Sequence, residues 1–134
     1  MALGYSLSLR KAKADAITTA VGNAGILTIY SGTQPATGGA ATTALVSFTL
    51  GTPFAPAATG TLGGTVSISP TLPSAATAGA TGTATWFRIT TSGGTQVADG
   101  TVGTSGADLN LATTSITSGL SVQITSWTMA VGNP

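Results

Sequence analysis

The hydrophobic pattern of this chain changes period once, at Gly25, and that change divides what the chain can fold into. Over residues 6–21, apolar side chains fall at Leu9, Ala12, Ala16, Ile17, Ala20 and Val21. Those spacings place them on one face of a helix. Ser6 or Ser8 can cap its start, and Gly22 or Gly25 can end it. Lys11 and Asp15 are four residues apart and can pair across one turn. Beyond Gly25 the period falls to two, and short apolar runs predict strands over 26–30, 44–50, 65–69, 81–91, 95–102, 108–112 and 121–131. In the fourth run Phe87 and Ile89 face one way, Trp86 and Arg88 the other. Ser92-Gly93-Gly94 predicts a hairpin turn into the fifth. In the last, Val122 and Ile124 have the opposite parity from Trp127, Met129 and Val131, and a bulge near Ser126 would turn all five inward.

Gly- and Pro-rich loops over 31–42, 52–64 and 70–79 separate the runs, and the first two are too long for simple hairpins. The expected fold is mainly β: an antiparallel β-sandwich of jelly-roll or Greek-key type with one N-terminal α-helix. We expect a single domain over 1–134, with a helix or arm at 6–21 and the sandwich at 26–131. Twenty-seven threonines favour strands, and thirteen serines and nineteen glycines favour turns. No internal repeat is evident.

Charge is the second constraint. Charged residues make up 5% of the chain, against about 25% in an ordinary soluble domain. Four of the seven lie together at Arg10, Lys11, Lys13 and Asp15, and only Arg88, Asp99 and Asp108 follow. Glu, His and Cys are absent. Their absence removes the usual nucleophile–base pairs, the common zinc ligand sets and any disulfide. The expectation is therefore no enzyme, no catalytic residue, no metal and no cofactor. A net charge of +1 gives no field for nucleic acid. No run approaches the roughly 18 apolar residues of a membrane span. Met1 to Leu9 is too short for a signal peptide's core, and the positive charges follow it, so we expect no cleaved secretion signal.

The remaining candidates are contact groups. Asp99 precedes Gly100, a common turn dipeptide, and that reading outweighs calcium, which needs 6–8 oxygens. Trp86 and Trp127, with Tyr5 and Tyr30, could make a sugar-stacking platform, although strand aromatics usually pack inside. Arg88 could stack on Trp86 or pair with Asp99 across the hairpin. Arg10, Lys11 and Lys13 could dock on an acidic partner, or form the wet face of a helix. A surface so poor in charge has little with which to repel its own copies. We therefore expect it to be covered by other subunits.

Several segments carry a resemblance. Arg10-Lys11-Ala12-Lys13-Ala14-Asp15-Ala16-Ile17, followed by Gly25-Ile26-Leu27-Thr28-Ile29-Tyr30-Ser31-Gly32-Thr33-Gln34-Pro35, is similar to the start of a family of small virion proteins of tailed bacteriophages. Gly82-Thr83-Ala84-Thr85-Trp86-Phe87-Arg88-Ile89 resembles its central strand. Asp108-Leu109-Asn110-Leu111, Thr114-Ser115-Ile116 and Val122-Gln123-Ile124-Thr125-Ser126-Trp127-Thr128 resemble its C-terminal part. The resemblance implies a capsid decoration or cement protein on the virion exterior, made in the host cytoplasm. It implies a dimer or trimer that bridges subunits of the major capsid protein, without nucleic acid or membrane. The helix, with Arg10, Lys11 and Lys13, would dock on the shell or clasp a neighbour, and its removal would leave the β domain folded. The alternative is a receptor- or glycan-binding β module of a head or tail fibre, which requires Trp86 or Trp127 to be exposed.

Overall fold

The computed structural model describes residues 4–36, 38–62 and 64–131. Among the described residues one helix, α1 (Leu7–Val21), precedes thirteen strands. Ser6 caps α1, its Oγ accepting the Leu9 N–H at 3.2 Å. Gly22 ends it at φ 69°, a left-handed value that glycine adopts without strain, and donates to the Thr18 carbonyl. The strands are β1 (Ile26–Ser31), β2 (Thr43–Thr49), β3 (Thr59–Gly60), β4 (Val66–Ile68), β5 (Ala76–Thr77), β6 (Gly82–Thr83) and β7 (Trp86–Thr90). They continue as β8 (Gln96–Gly103), β9 (Leu109–Leu111), β10 (Ser115–Ile116), β11 (Ser121–Val122), β12 (Ile124–Trp127) and β13 (Met129–Val131). No helix among the described residues is long and apolar enough to cross a membrane.

The main sheet has the order β12-β9-β8-β7-β1-β2, and a smaller one the order β13-β4-β3. β10 pairs with β6 and β11 with β5. The fold is thus the expected antiparallel sandwich with one N-terminal helix, apart from one parallel pairing of β8 with β9, Val102 beside Leu109. A parallel pair normally needs a crossover of a dozen or more residues. Here side chains tie a short loop instead. Asp108 Oδ2 accepts from the Thr101 N–H and Oγ1, both at 3.0 Å, and Asn110 Oδ1 accepts the Ala107 N–H at 3.2 Å.

The core lies between the sheets and under α1. It holds Leu27 and Ile29 of β1, Val46 and Phe48 of β2, Val66 and Ile68 of β4, Phe87 and Ile89 of β7, and Trp127 of β12. The expected bulge is present, because the β12–β9 register shifts between Ile124 and Ser126. Val122, Ile124 and Trp127 are buried and Met129 is half-buried, while the side chain of Val131 lies outside the described residues. Thr128, whose N–H donates to the Asp108 carbonyl, carries the chain from the main sheet to the smaller one. Bulges and bends of this kind let a strand change sheets at a sandwich corner.

Three local expectations change. The run over 81–91 is two strands in different sheets, broken where Ala84 donates to Thr114 and Thr85 to Tyr30. β3, β5 and β10 lie where loops or nothing regular was expected, because two-residue strands carry no period. The largest change is the helix face. Buried Arg10, Ala14 and Val21, with half-buried Leu7 and Ile17, face the core. Leu9, Ala12, Ala16 and Ala20 are exposed. The inward stripe 7-10-14-17-21 is as helical as the outward one, and a buried arginine hides it. Asp15 does not pair with Lys11. Its Oδ1 accepts the Ala58 N–H at 2.7 Å, and the one ion pair among the described residues is elsewhere. The helix is therefore part of the core rather than an appended arm.

Candidate interaction surface

The basic group at the helix start is split. Arg10 is 4% exposed and its guanidinium donates to the Gly64 carbonyl, in the turn between β3 and β4. It is a clamp between helix and sheet, not a contact group for an outside partner. Lys13 is exposed, with Nζ 4.3 Å from the centre of the Tyr5 ring, and Lys11 is half-buried. Two of the three expected residues thus remain available to a partner.

The aromatic group divides as well. On the outward side of the main sheet, β1 and β7 place Tyr30 opposite Trp86. Their rings stack at 4.3 Å, 14° from parallel. Arg88, two residues on, has its guanidinium carbon 5.2 Å from the indole centre. The indole N–H donates to Thr42 Oγ1, just ahead of β2, at 2.9 Å, and Trp86 is 1% exposed. Arg88 Nε and Nη2 donate to the two Asp99 carboxylate oxygens at 2.7 and 2.8 Å, a two-pronged pair across the β7–β8 register. The stacking and the ion pair, posed as alternatives in the sequence, are both made. The Asp99 hydrogen bond raises the Arg88 pKa above its ordinary value, against the opposing effect of burial.

Trp127 lies on the other side, in the core, 5.8 Å from both the Phe54 and Phe87 rings and 3% exposed. Neither indole forms the sugar platform, since both rings are buried. The Asp99-Gly100 dipeptide is not a turn. It lies within β8, where Phe87 stands opposite Gly100.

All three carboxylates are held by the fold: Asp15 by Ala58, Asp99 by Arg88 and Asp108 by Thr101. Among the described residues, no group of three metal-ligating side chains occurs. An apolar recess of about 240 Å³ is lined by Leu111, Ile116, Leu120 and Val122 together with small polar side chains, and contains no nucleophile–base pair. What the fold offers outward is surface. Leu62, 84% exposed at the β3–β4 turn, joins exposed Leu9, Leu72 and Leu120 on a coat of Thr, Ser, Ala and Gly. Nothing in the local sequence signals Arg10 as a clamp, since that role depends on where the Gly64 carbonyl lies. No family model, curated protein or solved structure matches this chain.

Proposed function

We propose that this protein is a structural protein of a tailed-phage virion, a capsid decoration or cement protein that stabilises the head by bridging major capsid subunits. One observation carries the reading. Beyond Asp15 the chain has three charged residues. Two of them, Arg88 and Asp99, are spent on each other, and Asp108 is tied to Thr101. The outer coat of the sandwich thus offers almost no fixed charge to water or against a neighbour. Short hydroxyl and methyl side chains lose little entropy when covered, and apolar area contributes about 25 cal/mol per Å² on burial. Such a surface suits broad contact with other subunits. Lys13 and exposed Leu9, four residues apart on one side of α1, are the groups we assign to the shell contact, made by the folded domain; Lys11 lies on the other flank of the helix.

The glycan-binding alternative draws no support from Trp86 or Trp127, whose rings are unavailable for stacking on a sugar. The test is a cryo-electron microscopy reconstruction of the parent particle. The proposal expects this sandwich on the outside of the shell, spanning the joints between capsid subunits. A shell bare of it, with the protein on a fibre or in no particle, would refute the proposal.

A further inference from the structure

β2 ends the six-stranded sheet, with β1 on its inner side only. Just past β2, the Leu50 N–H donates to the Gly25 carbonyl at 2.8 Å, and the register pairs Phe48 with Leu27 and Val46 with Ile29. In an antiparallel ladder, hydrogen-bonding direction alternates residue by residue. The N–H and C=O of Ser47 and Thr49 therefore point away from β1, and both residues are exposed. The outward carbonyl of Leu45 is already taken by the Gly79 N–H at 2.9 Å. That contact, with β5 packed against β2 and the register shift opposite Ile29 and Tyr30, closes the start of the edge. The rest, from Val46 to Thr49, is regular.

Exposed edges are normally blocked by Lys, Pro, inward charges or bulges. The open part of β2 contains none of these, and no charged residue lies between Asp15 and Arg88 in the sequence. An edge with two outward N–H and two outward C=O groups at regular spacing is complementary to itself when reversed. Nothing on it repels a copy. We propose that two copies of this chain pair through β2, antiparallel about a twofold axis at Phe48. Ser47 of each chain lies opposite Thr49 of the other, and the two main sheets become one. Four backbone hydrogen bonds form across the axis, and the contact is isologous, so it closes as a dimer and does not propagate. The inference deepens the oligomer implied by the proposed function and rests on it.

The experiment combines light scattering with residue-resolved amide hydrogen exchange on the full chain. Ser47→Pro and Thr49→Pro serve as variants, since each deletes one outward N–H and leaves the bonds to β1 intact. The expected result is a wild-type dimer with the Ser47 and Thr49 amides protected. Each variant should be folded by circular dichroism and monomeric. A wild-type monomer at high concentration would overturn the pairing. So would an oligomer whose Ser47 and Thr49 amides exchange as fast as loop amides, or a dimer that persists in the folded variants. Should the variants not fold, exchange in the wild type decides alone. A strand of another protein found on β2 in the particle reconstruction would also overturn it. Failure here leaves a shell location standing, and a dimer of a protein absent from the shell leaves the pairing standing.

Discussion

Gly100 is a position where one added carbon should be felt strongly. It is buried in β8 opposite Phe87 of β7. A Cβ at this position would lie 2.6 Å from both Cε1 and Cζ of the Phe87 ring and 3.1 Å from Asp108 Oδ2. Real carbons do not approach so closely, so the ring must move. It is itself buried, and it meets the Trp127 ring at 5.8 Å, nearly edge-on at 78°. Displacing it disturbs the core packing and the Asp108–Thr101 lock together. Overpacking of this kind costs about 1–3 kcal/mol. For a chain of this size, each kcal/mol lowers Tm by roughly 4 °C, so Gly100→Ala should melt about 4–12 °C below the wild type by calorimetry. Phe87→Leu, made both alone and together with Gly100→Ala, isolates the cause. If the ring is what the new methyl strikes, trimming it should be less harmful in the Gly100→Ala background than in the wild type, with a coupling of at least about 0.5 kcal/mol. A melting point within a degree of wild type, or strictly additive effects, would refute the reasoning.

Asp99→Ala leaves the Arg88 guanidinium buried beside Trp86 without its partner and should cost about 3–5 kcal/mol. Replacing both residues with apolar side chains of similar volume should cost less, as denaturant titration of the variants would show. Because the Arg88 pKa is raised, its contribution is held below the guanidinium range and lost only as pH rises through it. Melting curves across mildly alkaline pH should therefore show no step from this residue. Asp15→Ala removes the acceptor for the buried Ala58 N–H and should cost about 1–3 kcal/mol, measured by urea unfolding, with Asp15→Asn less damaging. Deleting residues 1–22 uncovers β4 and removes Ala14 and Val21 from the core. The truncated chain should bind a hydrophobic dye and lose cooperative melting, whereas a cooperative transition would show α1 to be dispensable.

The sequence made the fold class legible because its signals are local. A helical period before Gly25, alternation after it and Gly-Pro punctuation each act over a few residues, so the helix, the long strands and the β7–β8 hairpin could be placed. The Ile124–Ser126 bulge followed from parity alone, since side chains on a strand have two faces and the apolar ones must share one. The Arg88–Asp99 pair was likewise within reach, because a hairpin fixes which residues stand opposite.

What the chain could not reveal by itself depends on partners distant in sequence. Two stripes of α1 are equally helical, and only the presence of β4 and the Gly64 carbonyl decides that the one with Arg10 turns inward. Asp99-Gly100 has the composition of a turn, yet the Phe87 ring opposite makes a small residue necessary in mid-strand. Trp86 alternates onto the outer face, where alternation alone would leave it wet, and Tyr30, Arg88 and Thr42 pack against it there. Local pattern determined the helix, the longer strands and which residues are apolar. Tertiary structure decided which face is buried, because burial is settled between elements and a period is a property of one.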